Sequence, residues 1–402
     1  MDNVTHALAG ALLAAVTCRV VEQRAGEPSA TFRRAAYTLG VLTAELPDAD
    51  LLYAGAPMHM GKLGYLLHHR GYTHTVLFAI ASAVLVWAVA LAFRRGLRVP
   101  EYGRPLLLLA LVGTLSHLAL DYSNSYGVHP FWPVDRRWFY GDAVFIVEPW
   151  FWVVALPALL FIARRTFWRV VSGLLLLGIV VASWRISLVG TSVAAVLTMA
   201  AIAWTVFMRA VPPSARAVLA LAGWMVLEAV FFSGSVVARR AVRREVGLAY
   251  RDLALSPAPG NPFCLSGVLV RVDGDRYGTS RATIAPWPAL HDAFACHERS
   301  GARTAADSAS GSGAIRWEGS WSAPLSELRH LALGNCSAAA ALWFIRVPVW
   351  RREGDGTGTL SDLRFGEGAG SFASVTIDSG GACPHPVPDW EFPRRDLLGP
   401  AP

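Results

Sequence analysis

The sequence predicts a mainly α protein: a polytopic helical membrane bundle followed by a smaller β-rich or α+β C-terminal domain outside the cytoplasm. Three observations predict it. Hydrophobic residues make up 54% of the 402-residue chain, above the roughly 45–50% usual for a soluble domain. Uncharged runs such as Thr75–Phe93 and Ile186–Met208 are long enough to cross a bilayer, which takes about 20 apolar residues. Beyond about residue 238 the hydropathy falls and short alternating runs replace the long ones.

Taken in order, the apolar segments begin with 5–20 and 35–46, which are short and read as tilted spans or half-buried helices. Thr75–Phe93, Pro105–Tyr122, Val144–Ala163, Val170–Trp184, Ile186–Met208 and Ala217–Ala238 follow. The expected number of spans is six to eight, with eight preferred. The first run starts at once, without a basic leader or a small-residue cleavage site, so no cleavable signal peptide is expected. Orientation follows from arginine. Arg33 and Arg34, then Arg94, Arg95, Arg98 and Arg104, then Arg164, Arg165 and Arg169, then Arg209 and Arg216 occupy alternate loops. Such loops are cytoplasmic by the positive-inside rule. Arg136 and Arg137, and the group Arg239, Arg240, Arg243 and Arg244, run against the pattern, but long translocated domains obey it less strictly.

Residues 1–238 therefore read as a membrane domain and 239–402 as an extracytoplasmic one. In the second, Leu269–Val272 leads into a hairpin turn at Asp273-Gly274-Asp275. Ala341–Trp350 and Ser374–Ile377 read as further strands, Ala302–Gly313 as a loop, and the stretch from Pro384 as an extended tail. Cys264, Cys296, Cys336 and Cys383 are widely spaced and lack a Cys-x-x-Cys pair, which suggests two disulfides of open connectivity in an oxidising compartment. Cys18 reads as a packing residue. The net charge is +7, yet Lys62 is the sole lysine and the arginines cluster between apolar runs. That distribution excludes nucleic acid as the expected partner.

The chemistry gathers where the apolar segments start or stop. Thr5-His6 opens one segment, Glu45-Leu46-Pro47-Asp48-Ala49-Asp50 closes the next, His68–His74 precedes the third and His117–Asp121 closes the fourth. Four segments running up and down bring these pieces into one layer, and imidazoles with carboxylates suit a divalent metal. His117 and Asp121, four residues apart, share a helix face. Pro47 ends its helix and leaves Asp48 and Asp50 on a turn; Gly71 permits a turn between His69 and His74. Ionisable groups at membrane depth are costly without a task. Arg70 either pairs with an aspartate or holds an oxyanion in its planar fork. The loop Asp121–Trp150 adds His129, Asp135, Asp142 and Glu148, of which Asp142 and Glu148 are further candidate ligands. Glu228 is expected to pair with Arg185 or another partner.

These pieces resemble the YdjM-type family of membrane-bound metal-dependent hydrolases. Met1–Gly10 looks like that family's opening, and Pro47–Asp50, His69–His74 and His117–Asp121 match three later motifs in order, over roughly residues 1–150. Glu148 stands where the family pattern suggests an aspartate, and Asn261-Pro262-Phe263 echoes a motif of longer members. The resemblance implies metal ligands at His6, Asp48, Asp50, His69, His74, His117 and Asp121. It implies an integral membrane hydrolase, and a site at the outer interface favours an ester, or phosphoester, bond near the outer membrane surface. The expected cofactor is one or two divalent ions: zinc, with manganese or iron as alternatives. Arg70 would stabilise developing negative charge, and Asp50 or Asp121 would act as general base where it is not a ligand. Membrane lipids are the expected surroundings and a lipid or lipid-linked ester the expected substrate. A transporter using the same cluster as an ion site is the alternative; it would place ligands near the midplane and repeat its halves. A non-catalytic outer binding domain on a membrane anchor is a third reading, and it leaves the polar cluster unexplained.

Overall fold

The computed structural model describes residues 1–55, 61–297, 311–352, 357–377 and 387–398. The first helices are set by their caps. Helix α1 (Asn3–Ala25) starts where Asp2 accepts from the Thr5 N–H at 3.0 Å and stops at Gly26, whose φ of +82° is left-handed. Helix α2 (Ala30–Glu45) is capped by Ser29 and ends where Pro47 follows in a 3₁₀ turn, Leu46–Asp50. Two short helices, α3 (Leu51–Ala54) and α4 (Gly61–His68), and a second 3₁₀ turn, Tyr72–His74, lead to α5 (Val76–Phe93) and α6 (Pro100–Tyr122).

Helices α1, α2, α5 and α6 pack together as a four-helix group around Ala14, Phe32, Leu39, Ala83, Leu106 and Ala110. Small residues let the backbones approach. A Cβ on Gly10 would sit 2.3 Å from the Gly40 carbonyl oxygen, and one on Gly113 2.4 Å from Thr43 Oγ1. Helices α7 (Pro149–Ile162), α8 (Thr166–Arg185), α9 (Thr191–Ala210) and α10 (Arg216–Val246) form a second group around Phe151, Leu156, Met208 and Trp224. Leu85, Leu174, Met199 and Met225 point outward, exposed, which suits a helix bundle whose solvent is hydrocarbon.

All eight expected segments are helical, in keeping with the expected six to eight spans. Six helices, α1, α5, α6, α8, α9 and α10, are long and apolar enough to cross a membrane. The other two are short: α2 has 16 residues and α7 has 14.

Helix α10 runs past residue 238 to Val246 before the strands begin. Strands β1 (Asp252–Ala258), β2 (Asn261–Asp273), β3 (Arg276–Ile284), β4 (Gly311–Ser312) and β5 (Ile315–Pro324) make an antiparallel sheet in the order β1-β2-β3-β5-β4. The expected hairpin turn joins β2 to β3, with Gly274 at φ +55°. Helix α11 (Ala293–His297) lies between β3 and β4, and α12 (Leu325–Gly334) and α13 (Cys336–Ala341) follow β5. A second sheet pairs β6 (Pro348–Arg352), β7 (Gly358–Asp362) and β8 (Ser374–Ile377), and α14 (Arg395–Leu398) comes last. The strand expected over Ala341–Trp350 is shorter than that: Ala341 closes α13, and pairing starts at Pro348. Cys264 and Cys296 form a disulfide. Cys336 is also disulfide-bonded; Cys383, most of the loop Ala302–Gly313 and the first residues of the tail from Pro384 lie outside the described residues.

The two parts share a core. Leu63, Leu66 and Leu67 of α4, with Tyr126, pack among Leu328, Phe344, Trp350 and Leu360 of the C-terminal part. The C-terminal part therefore sits at the end of the helices where the histidine and aspartate motifs lie.

Candidate metal centre

Each motif reaches the site by a different local device. His6 stands in the first turns of α1, and His117 and Asp121 in the last turns of α6. Asp48 and Asp50 lie on the 3₁₀ turn that Pro47 starts, and His74 closes the 3₁₀ turn before α5. Alternating helix direction brings all of them to one level. His6, Asp50, His74, His117 and Asp121 have no solvent exposure.

Four donor atoms converge: Asp48, His74, His117 and Asp121 each offer one within 4.8 Å of the others. His74 Nε2 and His117 Nε2 are 3.1 Å apart. Asp121 Oδ2 is 3.0 Å from the first and 3.4 Å from the second, and Asp48 Oδ1 is 3.3 and 3.5 Å from them. The far ring nitrogens fix the tautomers. His117 Nδ1 donates to the Ala44 carbonyl at 2.5 Å, since a carbonyl only accepts. His74 Nδ1 faces Thr73 Oγ1 at 3.0 Å and Asp50 Oδ2 at 3.3 Å. Thr73 donates its own proton to Asp50 Oδ2 at 2.9 Å, so it accepts from the ring. Both Nε2 lone pairs then point at the same space as two carboxylate oxygens, and Asp121 Oδ2 makes no hydrogen bond although fully buried. Such a set of lone pairs with nothing to donate fits a divalent cation, held by two imidazoles and two carboxylates and oriented by outer partners.

A second group, Asp48, Asp50 and His69, adjoins the first and shares Asp48. Asp50 is heavily engaged. Its Oδ1 meets His69 Nδ1 at 2.9 Å, and its Oδ2 accepts from the Arg70 N–H at 2.8 Å and from Thr73. His6 stacks on His117 with ring centroids 3.7 Å apart and lies 3.3 Å from Asp121 Oδ1, outside either group. Neither of its ring nitrogens makes a hydrogen bond.

Electrostatics follow from the geometry. Burial opposes charge on His74, but the carboxylates of Asp121, Asp48 and Asp50 around it prevail and raise it to about 10. Burial likewise opposes charge on Asp48 and Asp50, yet their histidine partners hold both well below the usual carboxylate range. Without a cation the site keeps a proton in its place.

Arg70 is 1% exposed. Its fork reaches Asp121 Oδ1 at 2.8 Å and Asn124 Oδ1 at 2.9 Å, and its guanidinium lies over the Tyr126 ring. Of the two roles read from sequence, pairing with an aspartate is the one its contacts realise. The Met1 nitrogen also lies against Asp121. Asn124 and the Ala44 carbonyl were not among the expected site groups; only Asn124, three residues past Asp121, carried any signal.

The other candidates go elsewhere. Asp142 is bound by Arg346 Nη1 at 3.0 Å to each oxygen and by Arg239, so it joins the two parts of the chain. Glu148 caps α7 and accepts from the Trp150 and Gly260 N–H groups at 3.2 and 3.1 Å. Asp135 pairs with Arg137 at the surface, and His129 packs between Trp138 and Trp390. Glu228 accepts from Ser123 Oγ, and no ion pair to Arg185 is found among the described residues.

Neither a curated protein nor a solved structure matches the chain. A family model does: that of the YdjM inner membrane protein, over residues 1–209. The matched stretch contains every residue of the convergent donor set, and with six helices long and apolar enough to cross a membrane the chain is a multi-pass membrane protein that belongs to the YdjM family.

Proposed function

We propose that this protein is a membrane-embedded, metal-dependent hydrolase of an ester, or phosphoester, bond at the outer membrane surface. The observation that carries the reading is the meeting of the His74 and His117 lone pairs with Asp48 and Asp121. These four residues would hold the ion, and Asp50 and His69 with the shared Asp48 offer room for a second. Nitrogen and oxygen donors without cysteine favour zinc, with manganese or iron next. A bound ion supplies a lowered pKa for water at the site and polarisation of the scissile group.

The chain's own residues set the stage for that chemistry. With one ion bound, Asp50 orients His69, His74 and the Arg70 backbone, and with both oxygens so engaged it is better placed to position histidines than to serve as general base. Arg70 acts through Asp121, holding that carboxylate charged and aimed, rather than through a direct grip on substrate. His6 supports His117 from the ring face. The level of the site, at the helix ends, supports a substrate drawn from the membrane surface, a lipid or lipid-linked ester. The arginine alternation supports an outward orientation for that end and for the C-terminal part.

The test is a screen of the detergent-purified full chain against model phosphoesters, carboxylic esters and amides, with and without chelator. Chelator-sensitive cleavage of an ester class, restored by zinc, is the expected result. No chelator-sensitive cleavage in any class would overturn the hydrolase reading.

A further inference from the structure

The segment Asp389–Glu391, over 300 residues from the His69–His74 motif and beyond the stretch matched by the family model, lies directly on that motif. The turn it covers is unusual. Arg70 adopts φ +61°, a left-handed conformation that non-glycine residues rarely take. The next residue, Gly71, has Trp390 against it: a Cβ there would fall 2.8 Å from Trp390 Cη2 and 2.9 Å from the His68 carbonyl oxygen. Trp390 is 3% exposed and stacks on His129 at 4.2 Å, with Tyr72 at 5.3 Å. The backbone of the same segment is tied down on both sides. The Asp389 N–H donates to Tyr72 Oη at 3.2 Å, Trp132 Nε1 donates to the Asp389 carbonyl at 3.3 Å, and the Glu391 N–H donates to the Arg136 carbonyl at 2.9 Å. Downstream, Phe392 packs on Trp343 and Arg329 Nε donates to the Leu397 carbonyl, anchoring the segment in the C-terminal part.

We infer that Trp390 is a positioning residue for the metal centre: it clamps the Arg70–Gly71–Tyr72 turn from outside and thereby sets His69 and His74, which flank that turn. The inference rests on the metal-centre reading. From inside, the turn is held by Asp50 through the Arg70 N–H, and by Asp121 and Asn124 through the Arg70 fork. From outside, the Cη2–Cζ3 edge of Trp390 closes the space that only a glycine leaves open. The C-terminal part thus completes a site whose donors all come from the helical part.

The experiment loads the full-length protein in detergent with Zn²⁺ and follows zinc loss to excess chelator. It compares wild type with Trp390→Ala, Trp390→Phe and Gly71→Ala, and maps amide exchange over residues 68–76. Outer partners of metal ligands typically contribute about 10- to 100-fold in affinity. Trp390→Ala and Gly71→Ala should therefore release zinc at least about 10-fold faster, with faster exchange confined to the turn. Trp390→Phe should recover most of the retention. His117→Ala separates the two readings: zinc retained in that variant contradicts the metal centre itself. Zinc lost from His117→Ala but held at the wild-type rate by a folded Trp390→Ala overturns the clamp alone. Trp390→Ala that loses zinc only together with global unfolding, unrescued by Trp390→Phe, overturns it as well.

Discussion

His74 and His117 face each other through Nε2 atoms 3.1 Å apart, each with its Nδ1 already committed to a group of the protein. Two lone pairs at that distance repel unless a positive charge stands between them. A proton or a divalent ion satisfies the arrangement, and Asp48 and Asp121 supply the negative charge that makes either welcome.

That competition gives a pH dependence. With His74 raised to about 10 in the metal-free site, metal must displace one proton at any lower pH. The affinity for zinc should therefore rise about 10-fold per pH unit between roughly pH 6 and 9, since one proton is exchanged per ion. The sign is fixed: acid favours the proton and expels the metal. Competition titrations with a zinc indicator across this range check it, and a flat profile would show that His74 is not a ligand.

The close approach of α1 and α2 gives a packing prediction. Gly10→Val places atoms inside the Gly40 carbonyl, which backbone cannot yield cheaply. Overpacking of this kind costs about 1–3 kcal/mol. The thermal midpoint in detergent should fall, whereas Gly173→Ala in α8, where nothing lies within 4 Å, should leave it unchanged or slightly raised.

A third prediction concerns the joint between the two parts. Arg346 lies over the Tyr140 ring, binds Asp142 through Nη1 and binds Asp252 through Nε and Nη2 at 2.7 and 2.9 Å. Removing one member of a buried pair costs about 3–5 kcal/mol because the other charge is stranded. Arg346→Met should loosen the C-terminal part, read as faster proteolysis near residues 247–252 before the helices melt. An unchanged cleavage pattern would mean that the shared core around Leu66 and Phe344 holds the parts together without the ion pairs.

Much of this architecture was legible because the end of an apolar run fixes depth. A polar residue at such an end must lie at the membrane face, so His6, Asp48, His74 and Asp121 could be placed in one layer before any partner was known. The hairpin at Asp273–Asp275 was legible from its turn residues for the same local reason. Lateral partners were not. Whether Asp142 faced a metal or Arg346 depends on a contact across 204 positions of sequence, and Trp390 on Gly71 across more. No local pattern encodes such pairs. That Pro47 ends α2 was legible too, whereas the start of α7 at Pro149, five residues inside the apolar run that begins at Val144, was not.

The most direct test of the central claim is elemental analysis of the detergent-purified chain beside His117→Ala, Asp121→Asn and the exposed control His330→Ala. Wild type and His330→Ala should carry one or two divalent ions per chain, with most of the metal gone from the two site variants while they stay folded. Wild-type metal content in folded His117→Ala and Asp121→Asn would contradict it.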